Sequence, residues 1–115
     1  MLETDVVRHF VVWLRRAGWE VETDVDFADV VANRDDETLV AEAKGSTSSP
    51  GLDVDTAYGQ LLRRMEPWDD RDSCRYALVV PESARNAAER VHPGLRELLG
   101  IELYVVQDDG TVIGK

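Results

Sequence analysis

The chain has 115 residues, which fits a single domain, residues 1–115, with one hydrophobic core and leaves no room for a separate recognition domain. It contains 23 acidic and 13 basic residues, so its formal net charge is −10. This balance counts against a general nucleic-acid-binding protein, because phosphate contacts normally come from a basic surface.

The first predicted element is an amphipathic helix over residues 3–17. Apolar side chains recur along it at spacings of three and four, at Val7, Phe10, Leu14 and Ala17. Glu3 falls on the same stripe, and a carboxylate on the core-facing side of a helix is unusual unless it is paired or near a metal. The alternative is a frayed terminal residue that lies beside the positive end of the helix dipole.

A strand and a β-hairpin are predicted next. Residues 19–24 alternate as expected for a strand. The hairpin follows, with strands over residues 26–33 and 38–44 separated by a charged break at residues 34–37.

The predicted hairpin brings charged residues together. Side chains alternate across a strand, so Glu42 and Lys44 are expected on one face, with Ala43 on the other. Antiparallel pairing around the charged break places Asp29 roughly opposite Glu42. Lys44 is the only lysine before the C-terminal residue, and its titratable point charge differs chemically from the guanidinium of arginine.

These groups suggest a metal site with a lysine beside it. Mg²⁺ prefers carboxylate and carbonyl oxygens, so the carboxylates of Asp29 and Glu42 and the backbone carbonyl of Ala43 are candidate ligands for Mg²⁺ or Mn²⁺. A neighbouring lysine can orient or deprotonate a water molecule and neutralise charge on a phosphate, which suggests phosphodiester hydrolysis. The alternative is a cross-strand salt bridge on a solvated sheet face.

The second half of the chain is predicted to alternate helices and strands. After a loop rich in Gly, Ser and Pro comes a helix capped by Asp53 or Thr56 and ending near residue 65 or 66, then a polar loop over residues 68–73. The remaining predicted elements are a buried strand over residues 75–80 that is parallel to its neighbour, a helix from a Ser83 cap to Val91, a short helix to Leu99, and a hairpin with strands over 102–107 and 111–113. This alternation favours an α/β fold with helices on both faces of the sheet.

Asp29, followed by Glu42-Ala43-Lys44 on the next strand, resembles the active-site pattern of the PD-(D/E)xK nuclease superfamily. That superfamily includes restriction endonucleases and Holliday-junction resolvases. Its proline is absent here, since Ala28 precedes Asp29. The predicted element order is similar to the restriction-endonuclease-like αβββαβ core, a mixed central sheet flanked by helices, over about residues 3–107.

The resemblance implies a metal-dependent endonuclease of the resolvase or restriction type with DNA as its substrate. The catalytic residues that it implies are Asp29, Glu42, Lys44 and Gln60. Gln60 enters this set because residues 57–62 look like the helix that follows the motif in resolvase-like nucleases, where a glutamine points at the active site. The alternative is that Gln60 is an exposed helix residue without a role in the site.

Three further residues acquire expected roles from the same resemblance. Glu3 corresponds to a glutamate on the first helix that serves as an accessory metal ligand. Arg63 and Arg64 are candidates for contacts with the nucleic-acid backbone, although surface solvation is the expected state of both side chains unless they converge on the site.

Size and the N-terminal sequence lead to expectations about partners and location. A domain this small needs a second copy to grip a duplex, so we expect a homodimer. No apolar run approaches membrane-spanning length, and the N-terminus lacks the layout of a signal peptide. We therefore expect a cytoplasmic protein without a membrane partner.

The acidic composition leaves a competing interpretation open. In this interpretation the chain is a catalytically inactive module with a nuclease fold that acts as a protein-binding or regulatory subunit. If the chain is instead an enzyme, either arginines gather around the site or the acidic excess is an adaptation to a salty cytoplasm. High salt would screen the repulsion between the protein and phosphates.

Overall fold

A computed structural model describes residues 1–25, 28–65 and 74–114. Within these residues the chain forms four α-helices and a six-stranded sheet. The elements in chain order are α1 Glu3–Arg16, β1 Glu20–Val25, β2 Ala28–Arg34, β3 Glu37–Ala43, α2 Pro50–Arg64, β4 Cys74–Pro81, α3 Arg85–Glu89, α4 Pro93–Leu99, β5 Ile101–Val106 and β6 Val112–Gly114. No helix in this part of the chain is long and apolar enough to cross a membrane.

The sheet is mixed, and its strands lie side by side in chain order. The pairs β1–β2, β2–β3 and β5–β6 are antiparallel, whereas β3, β4 and β5 are parallel. This arrangement confirms the predicted α/β fold, its αβββαβ order and the parallel placement of the strand near residues 75–80. The predicted polar loop over residues 68–73 lies outside the described residues.

Helices cover both faces of the sheet. The helix α2 connects β3 to β4, and α3 lies in the connection from β4 to β5. Because crossovers between parallel strands are right-handed and these two lead in the same direction along the sheet, α2 and α3 lie on one face. The α1 helix covers the other. Each face has its own apolar core, built around Phe10, Leu14 and Leu39 on the α1 side and around Leu61, Leu78 and Leu103 on the α2 side.

The helix α1 buries a different stripe from the predicted one. Its buried residues are Val6, Phe10, Val11 and Leu14. Ala17 is exposed because it follows the end of the helix as its C-cap. Glu3 is also exposed, so its predicted core-facing position is wrong. The rotation of the stripe moves Glu3 from the core to the rim of the sheet.

The central hairpin is tighter than predicted. Strand pairing continues to Arg34 and Glu37, which leaves a two-residue turn of Asp35 and Asp36. Asp35 adopts a positive φ of 53°, a conformation that aspartate tolerates better than most side chains. Residues 26 and 27, where the first hairpin strand was predicted to begin, lie outside the described residues.

Two helix boundaries differ from the prediction. The helix α2 begins at Pro50 rather than at Asp53 or Thr56, because proline in the first turn has no N–H to leave unsatisfied and has a φ suited to a helix. The predicted helix from a Ser83 cap to Val91 is instead a 3₁₀ turn, Glu82–Ala84, followed by the short α3. Ser83 therefore lies inside a turn and does not cap a helix.

Candidate active site

The hairpin strands β2 and β3 bring Asp29 and Glu42 together. Val30 pairs with Ala41, and one further step in this register sets Asp29 opposite Glu42. The Ala43 N–H donates a hydrogen bond of 2.8 Å to Asp29 Oδ2. The Asp29 side chain is therefore held against the last residue of the neighbouring strand.

Glu42 is a buried carboxylate on the face of the sheet that α2 covers, and only 2 % of the residue is exposed. Its Oε1 atom lies 2.9 Å from Nε of Arg64, in the last turn of α2. This contact is an ion pair without a well-aligned hydrogen bond, because among the described residues Oε1 accepts none of acceptable geometry. Burial of an ionised carboxylate is unfavourable unless a cation is close, and Arg64 provides that cation.

The Glu42 carboxyl group has a perturbed proton affinity. Burial raises its pKa most strongly, a hydrogen bond to Asp29 and the negative charge of Asp29 raise it further, and the result is a pKa of about 7. The charges of Arg64 and Lys44 act in the opposite direction. Two carboxyl groups in contact resist losing both protons, so near neutral pH this pair favours any ligand that supplies positive charge.

Lys44 lies directly after β3, at the same end of the sheet. Its backbone N–H donates to the Val79 carbonyl at 3.0 Å, which fixes the main chain beside β4. Its charge lowers the pKa values of both Glu42 and Glu3. Among the residues that the structure describes, the Lys44 ammonium group takes part in no ion pair or side-chain hydrogen bond, so it is available to a water molecule or a substrate.

Glu3 approaches the site from the first turn of α1. Partial burial raises its pKa, and the next largest cause is the negative charge of Asp29. Glu3 and Asp29 also line a pocket of about 170 Å³, together with Thr4, Val7, Thr23 and Asp24. Across residues 1–25, 28–65 and 74–114, however, no three His, Cys, Asp or Glu side chains are grouped as metal ligands. Glu3 therefore influences Asp29 without forming a ligand set with it and Glu42.

The helix α2 contributes Gln60 and Arg64 to the same face of the sheet. The buried Oε1 atom of Gln60 has no hydrogen-bond partner within the part of the chain that the structure describes. Arg64 donates from Nη1 to the Gln60 carbonyl at 3.1 Å, and its side chain is 20 % exposed. The expected surface placement of Arg64 is therefore wrong, because its guanidinium turns inward to Glu42. Arg63, the preceding residue, is exposed as expected.

Two features of the site escaped sequence-based reasoning. The first is the partner of Glu42: a glutamate inside an apolar strand favours a nearby cation, and the arginines on the following helix are the signal that points to it. The second is Gly45, which lies in the predicted Gly-, Ser- and Pro-rich loop; a Cβ atom at this position would lie 2.4 Å from the backbone nitrogen of Glu3. This close approach of two backbones brings the start of α1 next to the end of β3.

The available donor atoms are those that a hard divalent cation prefers. They are the oxygens of two adjacent carboxyl groups, Asp29 and Glu42, and the Ala43 carbonyl between Glu42 and Lys44. The buried Oε1 atom of Glu42 accepts no aligned hydrogen bond from the described residues, so it retains acceptor capacity that a cation would satisfy. The residues thus fit Mg²⁺ or Mn²⁺ through two carboxylates, with water completing the coordination.

Comparisons with known proteins identify a relative in fold. No protein-family model and no curated protein matches the chain. Among solved structures, an XisH family protein from Nostoc punctiforme PCC 73102 is similar, with a TM-score of 0.63 and 17 % sequence identity. The match covers 95 % of this chain and 96 % of that chain. The similarity extends over almost the whole of both chains, and at this identity it shows a shared fold.

Proposed function

We propose that the protein is a metal-dependent endonuclease of the PD-(D/E)xK superfamily that hydrolyses phosphodiester bonds in DNA. The observation that carries the proposal is the contact of the Asp29 and Glu42 carboxyl groups at the end of β3, with Lys44 two residues beyond Glu42. Neighbouring strands supply the two carboxylates, and the lysine follows directly after the second of these strands. The similarity in fold to the XisH family protein supports the α/β framework on which this arrangement is built.

Asp29, Glu42 and the Ala43 carbonyl would hold the metal, Mg²⁺ or Mn²⁺. When bound, such a cation supplies a Lewis acid that polarises the phosphodiester and increases the acidity of bound water. Asp29 has a second task, because its Oδ2 atom accepts the Ala43 N–H and so keeps β2 in register with the motif strand. Glu42 is buried on the α2 side, where exclusion of water strengthens its interaction with cations.

Lys44 and Gln60 are the groups that would handle water and phosphate. Lys44 would orient the attacking water or, as the neutral amine, deprotonate it, and its ammonium form would offset the negative charge that develops on the phosphate. Gln60 offers a side-chain amide whose buried Oε1 atom has no partner among the described residues and can accept a hydrogen bond from water. Glu3, at the rim, would act on this site through its charge.

The DNA has to approach a protein with a net charge of −10. Arg63 is exposed on the last turn of α2, on the helix that bears Gln60, and is the candidate for a phosphate contact. We propose that a homodimer provides the surface for a duplex and that salt screens the repulsion between the acidic protein and DNA.

Cleavage of labelled DNA tests the proposal. The substrates are duplex, single strand, flap and four-way junction, with Mg²⁺ or Mn²⁺ from low to molar KCl. Asp29→Asn keeps an acceptor for the Ala43 N–H but removes the charge, and we expect a loss on the order of 100-fold or more. Lys44→Ala and Lys44→Arg should be similarly damaging, since an always-protonated guanidinium cannot serve as a base.

The controls for these variants are exposed residues that undergo the same change in charge. Asp55→Asn, on α2, matches Asp29→Asn, and Arg16→Ala, on α1, matches Lys44→Ala. Both controls should cut at the wild-type rate. Cleavage that survives Asp29→Asn and Lys44→Ala together would contradict the proposed site, and retained activity in Lys44→Arg alone would remove Lys44 from the role of base.

A catalytically inactive module with the same fold is the second candidate. The ion pair between Glu42 and Arg64 favours it, because a glutamate that is already neutralised by arginine needs no metal for stability. The absence of a third ligating side chain among the described residues points the same way. Calorimetric titration with Mn²⁺ separates the two candidates, since binding that is lost in Asp29→Asn is expected of the enzyme alone.

A further inference from the structure

We propose that Arg64 is an exchangeable counter-ion of Glu42, which a divalent cation must displace to reach the Glu42 carboxylate. This inference rests on the proposed function and concerns the regulation of the same site. It makes the resting protein a closed form, in which an internal guanidinium neutralises the carboxylate until metal replaces it.

The first argument is the position of the guanidinium. Nε of Arg64 lies 2.9 Å from Oε1 of Glu42, so a cation that binds this oxygen competes for the same side of the carboxylate. Among the ion pairs of the described residues, Glu42 takes part in this one alone. Lys44 influences Glu42 through its charge but forms no ion pair with it. Arg64 is therefore the group that the metal has to displace.

The second argument is the quality of the contact. Charge-assisted pairs are strong when the guanidinium and carboxylate align in two parallel hydrogen bonds. Here Glu42 Oε1 accepts no aligned hydrogen bond from any described residue, although the atom is buried. The pair therefore neutralises the charge of Glu42 but leaves the acceptor capacity of Oε1 unused. A metal ion that coordinates this oxygen directly would use that capacity.

The third argument is that the Arg64 side chain can move outward to solvent. It occupies the last turn of α2, and a fifth of its side chain is already exposed, whereas the side chain of Glu42 is 3 % exposed. Rotation of a long side chain at a helix end moves the guanidinium outward without moving the helix. A DNA phosphate, which arginine binds in a bidentate manner, is a suitable new partner at the surface.

Calorimetry with Mn²⁺ on the intact protein tests the exchange, with each variant measured across pH and compared at its high-pH plateau. Removal of the competing cation in Arg64→Gln should tighten Mn²⁺ binding about tenfold, the effect expected from losing one charge-assisted contact. The matched control is Arg63→Gln, which makes the same change in charge one residue away on an exposed side chain. It should leave the affinity within about twofold, since exposed charges interact weakly through water.

Two further measurements keep the result unambiguous. The first is the ¹⁵N signal of the Arg64 Nε–H group, which is assigned by its absence in Arg64→Lys. Diamagnetic Mg²⁺ takes the place of Mn²⁺ in this experiment. As the protein is titrated with Mg²⁺ to saturation, the signal should shift towards that of a solvated arginine. Arg64→Lys retains a cation with less reach than arginine and should bind Mn²⁺ with an affinity between those of wild type and Arg64→Gln.

The possible failures are distinguishable. If the protein binds Mn²⁺ through Asp29 but Arg64→Gln binds no more tightly than Arg63→Gln, or if the Arg64 signal does not move on saturation with Mg²⁺, the exchange is wrong and the metal site stands. If neither the wild-type protein nor Arg64→Gln binds metal, the proposed nuclease function fails and the exchange fails with it.

Discussion

At the scale of single residues, Glu42 combines properties that conflict in an ordinary surface glutamate. It is almost completely buried, it touches a second carboxyl group, and it is neutralised by a guanidinium that does not align with it. A structural salt bridge would favour better alignment and no second carboxylate. The combination is typical of functional sites, where groups are held in environments that perturb their proton affinities.

This environment gives the protein a pH dependence of stability that can be measured. The pKa of Glu42 is raised from its ordinary value of 4.5 to about 7 in the folded chain. Between these pH values the folded state holds a proton on Glu42 that the unfolded state has lost. The stabilisation of the folded state by this proton is therefore fully present below about pH 4.5 and is lost as the pH rises towards 7.

We therefore expect Glu42→Gln to remove part of the pH dependence. The free energy of unfolding of the wild type, minus that of the variant, should fall as the pH rises from about 5 to 7.5. Urea unfolding at a series of pH values measures this difference. Glu22→Gln, an exposed position on β1, is the control and should run parallel to the wild type. A Glu42→Gln profile that is also parallel would mean that the carboxyl group titrates normally.

At the scale of elements, the site depends on how the start of α1 meets the end of β3. The Ser46 N–H donates to the Met1 carbonyl at 2.7 Å, and Gly45 passes directly beneath the first residue of the helix. A Cβ atom at Gly45 would lie 2.4 Å from the nitrogen and 2.9 Å from the Cα of Glu3. Since both are backbone atoms, rotation of a side chain cannot relieve such a contact. The junction holds Glu3 near Asp29 and Lys44.

Gly45→Ala should accordingly disturb both stability and the site. We expect a loss of about 1–3 kcal/mol in the free energy of unfolding, the range typical of overpacking, together with weaker cleavage because the segment after Lys44 must shift. Gly59→Ala is the control, because, apart from the chain neighbours and the backbone of its own helix, no described atom lies within 4 Å of a Cβ placed there. That variant should gain about 0.5–1 kcal/mol from the higher helix propensity of alanine. Urea unfolding compares the two, and equal stability for Gly45→Ala and the wild type would contradict the close approach.

At the scale of the whole molecule, the arrangement of charge limits how DNA approaches. Arg34 and Arg75 lie at the opposite end of the sheet from Asp29, and both already interact with other side chains. The Arg34 guanidinium lies 4.3 Å from the centre of the Trp19 ring, and Arg75 pairs with Glu102 at 2.7 Å. Three of the six described residues that line the pocket at Asp29 are acidic, namely Glu3, Asp24 and Asp29 itself. Under the proposed function, attraction of DNA to this end would depend on cations, on salt and on a second copy of the chain.

The homodimer is the prediction that belongs to this scale. The protomer has a mass of 12.9 kDa and a radius of gyration of 13.1 Å, and a second copy would double the surface available to a duplex. Light scattering coupled to size-exclusion chromatography, at working concentration and in molar KCl, should give twice the protomer mass. A clean monomer under the same conditions would show that two copies do not associate before they meet DNA.

Local interactions explain why the centre of the site was accessible from the sequence. Asp29 and Glu42 belong to adjacent strands joined by a two-residue turn, and strand alternation together with hairpin register determines which side chains face each other. The resemblance to the nuclease motif rests on these same residues. The parallel placement of β4 was equally predictable, because a helix separates it from β3 and parallel strands require such a crossover.

The sequence by itself thus determined the order of the elements, the hairpin and the facing pair of carboxylates, all of which follow from short-range periodicity and turn chemistry. Only the tertiary structure decided that Arg64 turns inward to Glu42, that Glu3 lies at the rim, and that Gly45 passes under α1. Each of these contacts joins elements that are distant along the chain. Their geometry depends on how helices rotate and settle on the sheet, and the packing of both cores together sets that rotation.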